Sequence, residues 1–337
     1  MTLRSDALEV ALDAMSRSAM FVRRVRADLG PDDIQAKDDD SPVTVADLAA
    51  QALTRLHLEE EALVPGLPMC GEESAAILRE PGSDRFRARV HELVQSEAPS
   101  IGETELLDLL DRGAHRPVPG AGETFWICDP IDGTKRYISG HRYSSCMGLV
   151  IEGELVCGAI ACPDLGGRPE DRIDVADPAG SLFGAVKGGG AFRIEEPSSG
   201  STGRRLRLDR QPRAAGDCRV RVARSVSSTG LGPEHVWKAV RGKGASLEEV
   251  SIDNQCKYVA LATNRVDCIY QHAGSPDHQP SCIWDFAPGV LLVAETGCEV
   301  TDREGRSFDF NQGPTLLQNR GLAATSPGTR GFFPTLA

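Results

Sequence analysis

The sequence predicts an α/β layered protein with two sheets, and three observations carry that reading. An amphipathic helix pattern opens the chain, with Leu3, Ala7, Leu8, Ala11, Ala14, Met15, Phe21, Val22 and Val25 at spacings of three and four. Between 125 and 192 the pattern changes to short apolar, strand-like runs separated by glycine-bearing turns. Beyond a Ser/Gly-rich stretch from Pro197 to Gly203, strand and helix patterns follow in a second group. The expected organisation is an N-terminal α+β domain over 1–197 and a C-terminal α/β domain over 198–337.

Each element has a local reason. The first helix covers 3–29 and stops at Gly30-Pro31. Thr44 is a good N-cap for a second helix from about Val45 to Leu63, with Asp47 in the capping-box position. Residues 75–124 hold helical patches and a Gly/Pro-rich run, Arg116 to Gly122, and read as a surface insertion, a candidate lid. Ser144–Ile151 and Glu154–Ala161 flank Glu152-Gly153 as one hairpin; Leu182–Val186 and Ala191–Ile194 flank a glycine-rich turn as another. Leu206–Leu208 and Arg219–Ala223 are strand-like, while Val236–Val240 and Asn254–Thr263 suit helices. Ile283 to Thr296 reads as one helix closed by Gly297.

Composition narrows the function class. With 337 residues, 40% of them hydrophobic and 26% charged, the chain is long enough for two domains. No apolar run approaches the ~18 residues that span a bilayer. Met1 to Leu29 is charged throughout and lacks a signal-peptide core, so the expected location is the cytoplasm. The ten cysteines form no C-x-x-C pair, which fits buried free thiols better than a zinc site. A net charge of −12 argues against non-specific nucleic-acid binding.

The chemistry concentrates at 129–134, Asp-Pro-Ile-Asp-Gly-Thr. Proline and glycine force a turn after the apolar Phe125–Cys128, which lets Asp129, Asp132 and the carbonyl of Ile131 converge. Hard oxygens packed that closely repel one another unless a cation such as Mg2+ neutralises them. Thr134 then opens a short helical stretch whose free N–H groups suit an anion. Metal on one side and amides on the other describe a phosphate site. Other acids have bland readings when taken singly. Glu72 and Glu73 suit a solvated surface, Asp285 suits a helix-start acid, and Asp47 suits a cap partner.

In order along the chain, S-P-V-T-V-A-D at 41–47, G-E-E-S at 71–74, D-P-I-D-G-T-K at 129–135 and W-D-F-A-P-G at 284–289 resemble the magnesium-dependent, lithium-sensitive inositol monophosphatase superfamily. The resemblance implies an αβαβα sandwich of the sugar-phosphatase type and two or three Mg2+ ions. It makes Glu72, Asp129, the Ile131 carbonyl, Asp132 and Asp285 metal ligands, and Asp47 with Thr134 the pair that activates the attacking water. Within the superfamily, Ser41–Thr44, Lys135, the strand ending Cys162-Pro163-Asp164-Leu165, and Asp302–Arg306 with a following strand at Phe308–Phe310 are most similar to the 3'(2'),5'-bisphosphate nucleotidases.

That likeness implies hydrolysis of a small-molecule phosphate ester, the 3'-phosphate of 3'-phosphoadenosine 5'-phosphate. Gly133, Thr134, Asn254, Lys257 and Asp285 would contact the substrate. Recognition positions depart from the pattern: a histidine expected near Arg224–Ser228 is missing, Asp253 and Asn254 stand near an expected serine, and Gln271 stands near an expected arginine. An inositol phosphate or other polyol phosphate is therefore the alternative substrate. A non-catalytic metal or phosphate sensor is the rival from another class.

Overall fold

The computed structural model describes residues 2–61, 66–195, 203–209, 216–225, 234–271 and 281–333. Chain order begins with helix α1 (Thr2–Arg26), the short strands β1 (Ile34–Ala36) and β2 (Pro42–Thr44), and helix α2 (Val45–Glu61). Strand β3 (Met69–Gly71) precedes helices α3 (Asp84–Glu97) and α4 (Glu103–Arg112). Strand β4 (Phe125–Asp132), the short helix α5 (Thr134–Ile138), and strands β5 (Ser144–Ile151), β6 (Glu154–Cys162), β7 (Ser181–Val186), β8 (Gly190–Glu195) and β9 (Arg204–Arg207) follow. The remainder holds β10 (Arg219–Arg224), α6 (Glu234–Gly242), β11 (Ser246–Ser251), α7 (Cys256–Ala262), β12 (Cys268–Gln271), α8 (Ala287–Glu295), β13 (Glu299–Thr301) and β14 (Leu322–Thr325).

These elements form five layers. The large sheet has strand order β3-β4-β5-β6-β7-β8-β9, and only its β3–β4 pairing is parallel. Period-two alternation sends successive side chains to opposite faces. Trp126, Cys128, Met147 and Leu149 pack under Leu8, Leu12 and Met15 of α1. From the other face, Phe125, Ile127, Cys146 and Phe183 meet Tyr258, Val259, Val290 and Leu291 of α7 and α8. The far side of α7 and α8 rests on Ala223, Ile269 and Ala324 of the second sheet, ordered β11-β10-β12-β14-β13. Its outer face, with Val220, Val222 and Cys268, is covered by Val236, Trp237 and Val240 of α6. Helix, sheet, helix, sheet, helix is the layering the sequence resemblance implies.

Several local expectations are corrected. The segment 75–124 is not a surface insertion: Phe86, Val90, Leu93, Leu106, Leu109 and Leu110 of α3 and α4 are buried against α2. The turn at 129–132 does not end its strand, because β4 runs on to Asp132 with a shift in register between Asp129 and Asp132. The helix read from Ile283 is broken into a 3-10 turn, Ile283–Asp285, and α8, with Phe286 at φ −122° between them and a proline in the first turn of α8. Phe308–Phe310 forms no strand after the Asp302–Arg306 turn; those two rings stack 6.3 Å apart and the next strand is β14. Strand β11 went unread because its burial pattern does not alternate cleanly.

The boundary expected at 197/198 lies outside the described residues, and β9 beyond it still completes the large sheet. All ten cysteines are free thiols and Cys218 alone is exposed. Among the described residues no helix is long and apolar enough to cross a membrane.

The central helix layer leaves no slack between α7 and α8. A Cβ on Gly289 would fall 2.3 Å from Tyr258 Cδ2, on a ring that is itself fully buried. Gly289→Ala should therefore destabilise the protein by about 1–3 kcal/mol through overpacking, read as a lower denaturant midpoint with an unchanged slope.

Candidate active site

The site is assembled at the C-terminal end of β4. Proline at 130 cannot donate to the ladder, and the bulge that follows re-aims the two flanking acids. Asp129 Oδ1 accepts the Ile131 N–H at 3.0 Å, and Ser145 Oγ donates to the Pro130 carbonyl at 2.7 Å. Gly133 then takes φ 95°, and a Cβ there would meet Asn254 Nδ2 at 2.9 Å. Both facts demand glycine at the start of α5.

The 3-10 turn at Ile283–Asp285 delivers Asp285 from the second half of the chain. Asp129, Asp132 and Asp285 each present a carboxylate oxygen, all within 4.8 Å of one another. Asp132 Oδ2 is held by the Gln255 N–H at 2.5 Å and by Ser144 Oγ at 3.2 Å. Glu72 follows β3, and its N–H donates to the Cys128 carbonyl at 3.2 Å. Its charge is the strongest neighbouring influence on Asp129. Its Oε1, however, is engaged by Lys37 Nζ at 2.7 Å, and the same ammonium lies 2.6 Å from Glu73 Oε1.

Asp47 comes from the first turn of α2, where the capping box forms as expected. Asp47 Oδ2 accepts from the Thr44 N–H at 2.8 Å and from Thr44 Oγ1 at 2.6 Å. The other oxygen, Oδ1, lies 3.2 Å from Thr134 Oγ1, which is also 3.2 Å from the Ile131 carbonyl. The Thr134 proton thus points to one of two acceptors on its own side, leaving a lone pair free on the other.

The electrostatics follow from burial and crowding. Burial, then Glu72, Asp132 and Asp285, raise the Asp129 carboxyl well above its usual range. Burial, Asp132 and Glu72 do the same to Asp285. Asp132 is raised by burial to about 6, against the favourable charge of Lys257. Asp47 is raised by burial to about 6, and Glu73 by burial and Glu72 to about 8. Carboxylates that resist ionising together, with only oxygen donors converging, fit a hard divalent cation. Asp129, Asp132 and Asp285 would hold one ion. Asp129, the Ile131 carbonyl and Glu72, once Lys37 yields, would hold another.

The remaining expected residues lie beside this cluster. Lys257 is half-buried, its Nζ 2.7 Å from Gln271 Oε1; desolvation lowers its pKa while Asp132 and Asp285 oppose that shift. Asn254 is committed structurally: Nδ2 donates to the Arg142 carbonyl at 2.8 Å, and Oδ1 accepts from Ser144 Oγ and the Cys256 N–H. Asp253 joins Arg136 at 2.9 Å. Positions 226–228, part of the stretch where a histidine was expected, lie outside the described residues. Lys37, Ser144 and Gln255 lie outside the set read from the sequence. Lys37 had a visible signal, a lone cation leading an acidic run, whereas Gln255 reaches Asp132 through its backbone and leaves none.

A profile of the inositol monophosphatase family matches residues 3–332. The chain is 32% identical over 321 residues to a 3'(2'),5'-bisphosphate nucleotidase of Emericella nidulans, covering 86% of this chain and 85% of that protein. It is 31% identical over 343 residues to a 3'(2'),5'-bisphosphate nucleotidase of Oryza sativa, covering 95% and 90%. Among solved structures, the extragenic suppressor protein suhB of Bartonella henselae superposes with a TM-score of 0.58 at 20% identity, covering 96% and 94%. CysQ of Bacteroides thetaiotaomicron, a bacterial member of the inositol monophosphatase family, gives 0.56 at 19%, covering 95% and 97%. At such identities the structures speak for the fold alone.

The raised carboxyls set a sign for stability. A carboxyl whose pKa is higher folded than unfolded stabilises the fold fully below its unfolded value of about 4, and loses that contribution as pH rises through its folded value. In chelator, the melting temperature should fall as pH rises from about 4 through 6, the value for Asp47 and Asp132, towards 8, the value for Glu73. Added Mg2+ should raise it increasingly over the same range, as thermal scans at stepped pH would record.

Proposed function

The chain belongs to the inositol monophosphatase family, and from that premise we propose that it is a Mg2+-dependent phosphomonoesterase that removes the 3'-phosphate of 3'-phosphoadenosine 5'-phosphate. The observation that carries the reaction type is the Asp47–Thr134 contact set against the Asp129, Asp132 and Asp285 cluster. Nucleotidases about 30% identical over most of their length support the substrate.

Bound Mg2+ supplies Lewis acidity, lowering the pKa of the attacking water and balancing charge on the phosphate and leaving oxygen. Glu72, Asp129, Ile131, Asp132 and Asp285 are the residues proposed to hold two or three ions. As Thr134 takes a proton from water it would pass its own hydroxyl proton to Asp47 Oδ1, so that the proton lost by water ends on the Asp47 carboxylate. The backbone amides of Gly133 and Thr134 face the phosphate as its charge redistributes. Lys257 adds positive charge beside Asp132 and Asp285 and helps hold the substrate, with Gln271 orienting it. Asn254 holds the Arg142 carbonyl and Ser144 in place beside Gly133, so its contribution to substrate binding is through the shape of the site. Water attacks in line with the leaving oxygen, and phosphorus inverts.

The second reading is a polyol phosphate substrate on the same site. It is favoured by Gln271 standing where the nucleotidase pattern has arginine, because Gln cannot make the charge-assisted phosphate contact. Phosphate release from 3'-phosphoadenosine 5'-phosphate and from inositol phosphates at matched concentration separates the two. Faster turnover of the nucleotide is expected, and none at all would overturn the first reading. LiCl should inhibit where KCl does not.

Thr134→Ala and Asp47→Asn should each lower kcat by ~10²–10⁴, and the double variant should lose little more than either alone, since the two act as one unit. Steady-state kinetics of the three variants at saturating Mg2+ check this; additive losses would count against the pairing.

A further inference from the structure

Gln255 stands where the two halves of the acid cluster meet, and it is completely buried. Its backbone N–H donates to Asp132 Oδ2 at 2.5 Å. Its side-chain Nε2 donates to the Trp284 carbonyl at 2.7 Å, the peptide oxygen immediately before Asp285. One residue therefore grips an acid from the β4 turn and the segment that carries the acid from the C-terminal half. No other described residue has both bonds. The acceptor fixes the amide's orientation, because a carbonyl cannot receive from Oε1.

The neighbourhood makes this grip stiff. Gln255 caps α7, and the N–H groups of Tyr258 and Val259 donate back to its carbonyl. Nε2 also lies 2.7 Å from Cys146 Sγ, on the strand beside β4. Among the described residues Oε1 has no hydrogen-bond partner although it is buried. A buried amide with half its capacity unused is costly, so the half that is used has a purpose beyond filling space.

We propose that Gln255 is a positioning residue that sets the separation of Asp132 and Asp285, and with it the affinity of the cation site they share. The proposal rests on the metal-hydrolase reading given above. Groups that orient ligands without touching the ion typically contribute ~10–100-fold in metal affinity. The backbone bond to Asp132 survives substitution, so removing the side-chain amide loosens only the Trp284–Asp285 side. The effect should then fall on Mg2+ binding and not on substrate KM once Mg2+ saturates.

The test is calorimetric titration of MgCl2 into chelator-treated protein, for the parent, Gln255→Met, Asp285→Asn and the double variant. Methionine matches the length and apolar bulk of glutamine without its donor; Gln255→Leu, also without a donor to the carbonyl, serves if the methionine variant does not fold. The expected result is Mg2+ affinity ~10–100-fold weaker in Gln255→Met, a melting temperature in chelator close to the parent's, and an unchanged KM at saturating Mg2+. In the Asp285→Asn background the same substitution should have no further effect. Parent-like affinity in Gln255→Met, or an equal loss in both backgrounds, overturns the assignment and leaves the hydrolase reading intact. A parent protein that binds no Mg2+ overturns both.

Discussion

Three carboxylates held within 4.8 Å of one another, one of them fully buried, are a liability that the rest of the fold is built to tolerate. Two like charges at that separation repel by on the order of 4 kcal/mol even at an effective dielectric of about 20. Glu72 and Asp47 add to the load from either side. The protein answers with protons, which the raised carboxyls retain, and with cations, Lys37 against Glu72 and Lys257 against Asp132. Both are incomplete answers. A divalent ion is the complete one, and each acid is presented by a backbone feature that leaves an oxygen facing inward: a bulge, a 3-10 turn, a strand end.

The layering explains how such distant residues are brought together. Strands β3 and β4 are the parallel pair of the large sheet, so Glu72 and Asp129 emerge at the same edge. Helices α7 and α8 are sandwiched between the two sheets, and Gln255 and Asp285 stand at their entrances. Helix α2 begins beside the same edge, which gives its cap a second use. Thr44 and Asp47 close the helix start, and the oxygen of Asp47 left over from that task reaches Thr134. Arg116 reinforces the junction from outside, donating to the Gly71 carbonyl at 2.9 Å while lying over the Trp284 ring.

Much of this was legible in the sequence because its causes are local. The Thr44–Asp47 spacing announces a capping box, Pro130 and Gly133 announce an irregular strand end, and alternation between 125 and 192 announces a sheet. What escaped has non-local causes. The helices at 84–112 look like an appendage because the face they bury against, on α2, is remote in sequence. The break at Phe286 depends on how Asp285 is delivered to the cluster, while a run of apolar residues reads as one helix. Gln255 and Ser144 act through a backbone amide and a hydroxyl, groups that carry no compositional mark. Asn254, read as a substrate contact, turns out to be occupied with Arg142, Ser144 and Cys256, which spacing alone cannot reveal.

If crowding of carboxylates is what the site is built around, cation binding must displace the protons that crowding retains. The direct measurement is the proton count on Mg2+ binding, from calorimetric titrations at pH 6 in buffers of differing ionisation enthalpy. Net proton release per ion bound is expected, and it should be smaller in Asp129→Asn, which removes one of the crowded carboxyls and leaves Asp132 and Asp285. Saturable Mg2+ binding with no proton exchange, or equal release from the Asp129→Asn protein, would contradict this account.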